Sequence, residues 1–453
     1  MRIFVSIIYL FLKFTVFLTL RIFYAKCTVI NKKRLAFKNP AIIVSNHPST
    51  LMDPLNVAVE IPKQISFLAN AGLFKNPILG AILNMFCIPV ERPKDVNGRG
   101  IQNEENFARA DSHLASGGGI YIAAEGTSEV ERRIRKIRTG TARIALSAEN
   151  KHNFNLGITI IPIGLNYTAP LEFRSEVLVN VGAPIKLSDY QEVYNEDPFQ
   201  AAKQLTADLQ YQVESLVFHT EIEEQDQLLA DIETILQSEK PLSPQDTFVR
   251  TQQVLQQIKS LSETERKGFI SAASSYFELL KKEKINDLAV FNFLKNRPSF
   301  LNVLKIIFGL PLFLYGWINN FVAFFIPGFL ARKIKVFHGY KPTIMVMSGL
   351  IILPLAFYLQ TKLVSHFIDI PYIGWIYLLT LLPMGWIAWQ YRKLALQYFK
   401  NSKVKKMLAT TPELFEDLKT KREIFLSKIN ANLELAPAFT LCALCLLCVF
   451  CVP

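Results

Sequence analysis

Charge is scarce in this chain. Only 19% of its 453 residues are Asp, Glu, Lys or Arg, where a soluble domain carries about 25%. Apolar residues, half of the total, fill the deficit. That excludes disorder as the main state and points to sequence held in lipid. Cysteine is sparse as well, and four of the six lie at 442, 445, 448 and 451, which excludes a disulfide scaffold. Their period of three traces a drifting stripe on an apolar helix and reads as small residues of a membrane helix, with lipidation or metal capture as rival readings. Histidine is rare, and His113, His152, His219, His338 and His366 stand apart without metal-ligand spacing, so no metal is expected. No repeat, low-complexity tract or nucleic-acid motif occurs, and nucleic acid is not an expected partner. The charge present leans positive, by +12, which suits anionic headgroups or phosphorylated substrates.

The length gives a prior of roughly two to three domains, and composition marks four regions. Residues 1–37 hold an apolar run over 3–24. Arg2, Lys13 and Arg21 fall within one quadrant at about 100° per residue. This predicts a helix lying in the membrane interface, its basic edge toward headgroups; a tilted single span is the rival. Residues 38–195 alternate short β-rich runs with helical stretches. Strands are predicted at Ala41–Ser45, Ile65–Ala69, Phe86–Val90, Gly119–Ala123, Ile158–Leu165 and Val177–Val181. Helices are predicted near 52–60, 101–116 and 137–149. This pattern predicts an α/β domain, a mostly parallel sheet with helices on both faces. Residues 196–300 are polar and helical, with apolar stripes at Leu205–Val217, Leu228–Leu236 and Val254–Leu261. Residues 301–453 are membrane-like, with uncharged runs at 306–330, 343–361, 370–391 and 435–453, each near the ~20-residue span length. Basic residues flank the first run on both sides. With Pro311 and Pro327 inside it, a re-entrant or in-plane hairpin is expected there. The next two runs then cross as a pair, leaving the α/β domain and the basic loops 331–342 and 392–406 in the cytoplasm.

Candidate chemistry sits at Asn46-His47-Pro48-Ser49-Thr50-Leu51-Met52-Asp53-Pro54, after a predicted strand. A histidine of near-neutral pKa can take a proton from an alcohol. A carboxylate on its other nitrogen fixes the tautomer and stabilises the imidazolium. Six positions are not same-face helix neighbours, so His47 belongs to the loop before the helix and Asp53 reaches back from it. Pro48 suits the helix's first turn. A capped helix start with an ordinary surface histidine is the bland alternative. Three more strand ends add polar groups: Glu91-Arg92, Ala124-Glu125-Gly126-Thr127-Ser128, and the strand holding Pro162. In open α/β sheets ligands bind at the carboxyl ends of strands.

In this order and spacing the blocks resemble the glycerolipid acyltransferase family, which includes lysophosphatidic acid and glycerol-3-phosphate acyltransferases. The resemblance covers residues 38–190. It implies His47 and Asp53 as the catalytic pair and Arg92 as the phosphate ligand. Asn46, Glu125, Gly126, Thr127 and Pro162 complete the implied substrate-binding set, the glutamate accepting a hydroxyl or ammonium hydrogen bond. Amides near the helix start would stabilise the oxyanion. The expected partners are acyl-CoA or acyl carrier protein as donor, a phosphorylated glycerol as acceptor, and membrane lipid; no cofactor is implied. Five residues separate His47 from Asp53 where the family usually has four, which is similar to a branch acting on glycerol-3-phosphate or dihydroxyacetone phosphate. Ala123-Ala124 stands for the usual Phe-Pro, and Ser128 for the usual Arg. Arg132, Arg133, Arg135, Lys136 and Arg138 lie downstream as a solvated or headgroup-binding loop, or as replacement phosphate ligands. A non-catalytic lipid-binding protein on an acyltransferase fold is the alternative from another class, and a transporter built on the C-terminal helices is a third.

Overall fold

A computed structural model describes residues 2–91, 103–220, 223–296 and 300–434. By contact the chain forms two units, Met1–Glu221 with Pro327–Leu350, and Ile222–Ile326 with Ile351–Pro453.

The first unit opens with helix α1 (Arg2–Phe23) and strand β1 (Lys26–Ile30). Then follow β2 (Ala41–Ser45), α2 (Met52–Ala58), β3 (Ile65–Asn70), α3 (Pro77–Asn84), β4 (Cys87–Val90), α4 (Glu104–Ala115), β5 (Gly119–Ala123), α5 (Gly140–Lys151), β6 (Thr159–Tyr167), β7 (Glu176–Val181), β8 (Ile185–Lys186), α6 (Gln191–Glu196) and α7 (Pro198–Ser215). The strands form one sheet in the order β1-β7-β6-β2-β5-β3-β4, with β8 also on β6. All pairs are parallel except β6 with β7 and with β8, so a mostly parallel sheet stands as expected.

Alternation along the central strands explains how the sheet is covered. Ile42 and Val44 of β2, Ile120 and Ile122 of β5, and Ile160 of β6 point to one face, where α4, α5 and α7 pack. Ala41, Ile43, Tyr121, Ile161 and Ile163 point to the other, under Met52 and Val57 of α2 and Leu20 and Phe23 of α1. Period two does this in any strand. Burying each of the larger aliphatic side chains contributes roughly 1.5–3 kcal/mol. Helix α7 joins this core through Leu205, Leu209 and Val213, so the boundary drawn at 195 from composition falls inside one contact unit. β1, inside the region 1–37 where only an interface helix is expected, is an edge strand of the sheet, paired from Lys26↔Glu176 to Ile30↔Asn180.

Two residues of the basic edge of α1 make contacts within the unit. Lys13 donates to the Ile61 carbonyl just past α2. Arg21 meets Glu60 at 3.4 Å and the Cys27 carbonyl at 3.3 Å. Carbonyls beyond a helix end and a buried carboxylate attract these cations. Ile7, Leu10, Phe11, Phe14 and Leu18 of α1 are left exposed.

The second unit contains α8 (Glu223–Glu239), α9 (Pro244–Ser260), α10 (Glu263–Lys282), α11 (Asp287–Leu294) and most of α12 (Phe300–Lys333), α13 (Lys341–Phe367) and α14 (Ile373–Thr410), then α15 (Pro412–Glu434). Ser243 caps α9, and a Ser262–Glu265 capping box starts α10. Helices α8 to α11, α15 and the end of α14 enclose a core that includes Ile232, Phe269, Tyr276, Phe425 and Met407. Helices α1, α12, α13 and α14 are long and apolar enough to cross a membrane. The hairpin expected over 306–330 is absent: α12 is one helix of 34 residues running through Pro311 and Pro327. A proline removes one ladder bond and kinks the chain. In an apolar setting, ending the helix would expose several backbone groups instead. The run 435–453, with its four cysteines, lies outside the described residues.

Candidate active site

Strand β2 ends at Ser45, in register with Ala123 of β5 and Ile163 of β6. The next residue, Asn46, continues the pairing with its side chain: its amide donates to the Leu165 carbonyl at 2.9 Å and its oxygen accepts the Leu165 N–H at 2.7 Å. Asn46, expected among substrate ligands, thus fixes the direction in which the chain leaves the sheet. Beneath it, the Ser45 hydroxyl meets the Tyr121 hydroxyl at 2.6 Å.

His47 lies in the loop and Asp53 is the second residue of α2. They meet through Nδ1 and Oδ2 at 2.9 Å. Asp53 is fully buried, while the His47 side chain is 20% exposed. The Asp53 carboxylate also accepts the Ser49 N–H at 2.8 Å and the Tyr167 hydroxyl at 2.7 Å. Asn56 in turn donates to the Tyr167 oxygen at 3.2 Å. Burial first, and then the neighbouring Asp53 charge, raise the Tyr167 phenol well above its ordinary value, so it remains a donor. In the first turn of α2 the proline is Pro54 rather than Pro48. Its missing N–H costs nothing where first-turn amides lack intrahelical partners.

Glu125 follows β5 and is buried. Its two oxygens accept the His47 N–H at 2.8 Å and the Arg135 N–H at 3.1 Å. The carboxylate expected to face substrate therefore clamps the histidine loop to the loop after β5. Burial raises its pKa, against the two amides and His47, which lower it. Gly126 has φ 71°, a left-handed conformation that favours glycine in the Glu-Gly-Thr turn. Thr127 is half-buried beside it. Ser128, where the family usually has arginine, accepts the Thr50 N–H at 3.0 Å. Near the helix start, where amides were expected to serve an oxyanion, those of Ser49 and Thr50 are thus taken by Asp53 and Ser128. In the basic run, Arg133 and Arg135 pair with Glu131, and Arg135 also with Glu129.

Pro162 lies inside β6, paired with Val44 and buried, away from the strand end. It stands where β6 changes antiparallel partner, from β8 at Thr159–Ile160 to β7 from Ile163. The missing proline N–H falls in that gap, and its carbonyl accepts the Gly182 N–H at 2.8 Å. Arg92 lies outside the described residues. The site thus joins His47, Asp53, Glu125, Gly126 and Thr127, and adds Tyr167, Asn56, Ser128 and Thr50, which the sequence reading missed. No group of three or more His, Cys, Asp or Glu suited to a metal occurs among the described residues.

Residues 26–166 match the acyltransferase family model. Glycerol-3-phosphate O-acyltransferase 1 of Saccharomyces cerevisiae is 35% identical over 81 residues, covering 18% of this chain and 10% of the relative. Glycerol-3-phosphate O-acyltransferase 2 of the same yeast is 30% identical over 106 residues, covering 23% and 14%. The crystal structure of the 1-acyl-sn-glycerophosphate acyltransferase of Thermotoga maritima aligns over 42% of this chain and 75% of that one, at 17% identity and a TM-score of 0.29. The chain thus spans about a tenth to a seventh of the curated relatives' length, and the segment matched by the family model holds the His47–Asp53 turn. By that match residues 26–166 are an acyltransferase domain, in a chain similar over a short stretch to the two yeast glycerol-3-phosphate O-acyltransferases.

Proposed function

We propose that the chain is a membrane-bound O-acyltransferase. It moves a fatty acyl group from acyl-CoA or acyl carrier protein to the hydroxyl of a phosphorylated glycerol. The observation that carries this reading is the 2.9 Å contact between His47 Nδ1 and the buried Asp53 at the carboxyl end of a central strand. An ionised carboxylate only accepts, so His47 holds its proton on Nδ1 and offers Nε2 as base. Nε2 takes the hydroxyl proton as the alcohol oxygen attacks the thioester carbonyl. A C–O bond forms, the tetrahedral intermediate collapses with loss of the C–S bond, and the thiolate leaves with the proton that His47 returns. Asp53 stabilises the imidazolium between these steps.

Arg92 is assigned to the acceptor phosphate on the family resemblance, its planar fork matching phosphate oxygens. Gly126 and Thr127 shape the neighbouring wall. The yeast relatives' names favour glycerol-3-phosphate as acceptor over lysophosphatidic acid. Four long apolar helices support a membrane location, and the basic loops support a catalytic domain on the cytoplasmic side. The test is the purified protein with glycerol-3-phosphate, dihydroxyacetone phosphate and lysophosphatidic acid, each with acyl-CoA and with acyl carrier protein. Transfer to glycerol-3-phosphate is expected, and His47→Ala should reduce it by about a thousandfold. Near-normal turnover in His47→Ala would overturn the reading.

A further inference from the structure

Five residues separate His47 from Asp53, and the turn they form closes to a 2.9 Å contact. One of them makes this possible. Thr50 has φ 47°, a left-handed conformation that is uncommon for any residue except glycine and an outlier for a β-branched one. Such strain costs of order 1–3 kcal/mol and persists only where surrounding contacts over-determine it. Three contacts do so here. The Thr50 N–H goes to Ser128 at 3.0 Å. Its hydroxyl donates to the Gly339 carbonyl at 3.2 Å and lies 3.0 Å from the Thr343 hydroxyl. A hydroxyl has one proton to give, so Thr343 is the donor in the second contact. The turn is coupled to the pair on both sides of Thr50. Ser49 N–H binds Asp53 Oδ2 at 2.8 Å, and Asp53 N–H reaches the Thr50 carbonyl at 3.4 Å.

The segment that grips Thr50 comes from the link between α12 and α13. It comprises the short 3-10 turn His338–Tyr340 and the first turn of α13. It is seated in the first unit, with Val346 in the core beside Met52 and Val57 of α2. We propose that this segment is a strap that completes the active site. Thr343 and Thr50 are positioning residues, holding the lengthened turn so that Asp53 stays on His47. The proposal rests on the catalytic reading of His47 and Asp53. It goes further in making the start of an apolar C-terminal helix part of the catalytic machinery rather than an anchor alone. It also gives a reason for Ser128: an arginine has no acceptor to offer the Thr50 amide.

The full-length protein in detergent or proteoliposomes tests this. Thr343→Val keeps the shape and removes the donor. It should lower kcat per folded enzyme by about five- to tenfold, the worth of one hydrogen bond, with both KM values within about twofold of wild type. Thr343→Ser restores the donor and should restore kcat. Thr50→Gly adopts the left-handed conformation freely but cannot be gripped. On that background Thr343→Val should have no further effect. Wild-type kcat in Thr343→Val would overturn the strap, as would a Thr343→Val defect that persists in full on Thr50→Gly. Thermal unfolding of each variant separates loss of fold from loss of positioning. If His47→Ala remains active, the catalytic reading itself fails. If His47→Ala is inactive and Thr343→Val normal, only the strap fails.

Discussion

The Asp53 carboxylate accepts from three donors, His47, Ser49 and Tyr167. Removing the one donor that is neither reacting group nor backbone isolates the value of orientation. Tyr167→Phe should lower kcat by about tenfold, one neutral hydrogen bond to a charged group, and leave the acceptor KM near wild type in steady-state kinetics. Glu125 gives a pH signature. Its carboxyl is raised above the ordinary value, chiefly by burial, so ionisation is the costly state. The stability it contributes is fully present below the ordinary carboxylate value and is lost as pH rises through the raised one. Glu125→Gln does not titrate. Relative to that variant, wild type should lose unfolding midpoint as pH is raised across this window and then level off. A gap that stays constant with pH would mean that Glu125 ionises alike in the folded and unfolded chain.

Among the elements, the central strands were legible because burial on both faces leaves nearly continuous apolar runs such as Ala41–Ser45 and Gly119–Ala123. β1 was not, since Lys26-Cys27-Thr28 follows an apolar helix with no turn residue between them, and an edge strand needs no alternation. The His47–Asp53 pair was legible because both lie in one short segment. Tyr167 and Thr343 were not, since they reach the turn from 114 and 293 residues away and carry no local signature. Pro162 was read as part of the site because its block ends there, whereas its position answers a change of strand partner. In the second unit Arg422 of α15 binds buried Asp287 of α11 at 2.7 Å and Glu239 of α8 at 2.8 Å, and Tyr276 donates to the same aspartate. Arg422→Ala leaves Asp287 charged and short of partners, so it should destabilise by about 3–5 kcal/mol. Arg422→Met with Asp287→Leu should lose less than the single change. Chemical unfolding followed by helix content distinguishes these outcomes.

At the scale of the molecule, sidedness follows from one contact. Thr50 bonds to Gly339, so in the proposed membrane setting the link between α12 and α13 would lie on the same side as the His47–Asp53 turn, which requires α12 to lie in the membrane plane rather than cross. The four basic residues at 332, 333, 335 and 341 favour the cytoplasm for that link. Cysteines introduced singly, after replacement of the native ones, report this through a membrane-impermeant reagent applied to intact cells. Ser116→Cys, Lys335→Cys and Ser402→Cys should be protected, and Ser365→Cys should label. Labelling at Lys335 with protection at Ser116 would contradict the Thr50–Gly339 bond.

The same bond sets an order in time. A chain emerges from the ribosome N-terminus first, at about 5–20 residues per second. The His47–Asp53 turn is made early, but its last hydrogen bonds wait for Gly339 and Thr343, 289 and 293 residues after Thr50. That delay is about 15 to 60 s at those rates. A nascent chain ending before α13 would hold His47 and Asp53 without the grip on Thr50, so under the proposed strap full activity would wait until the long apolar helices have begun to be made.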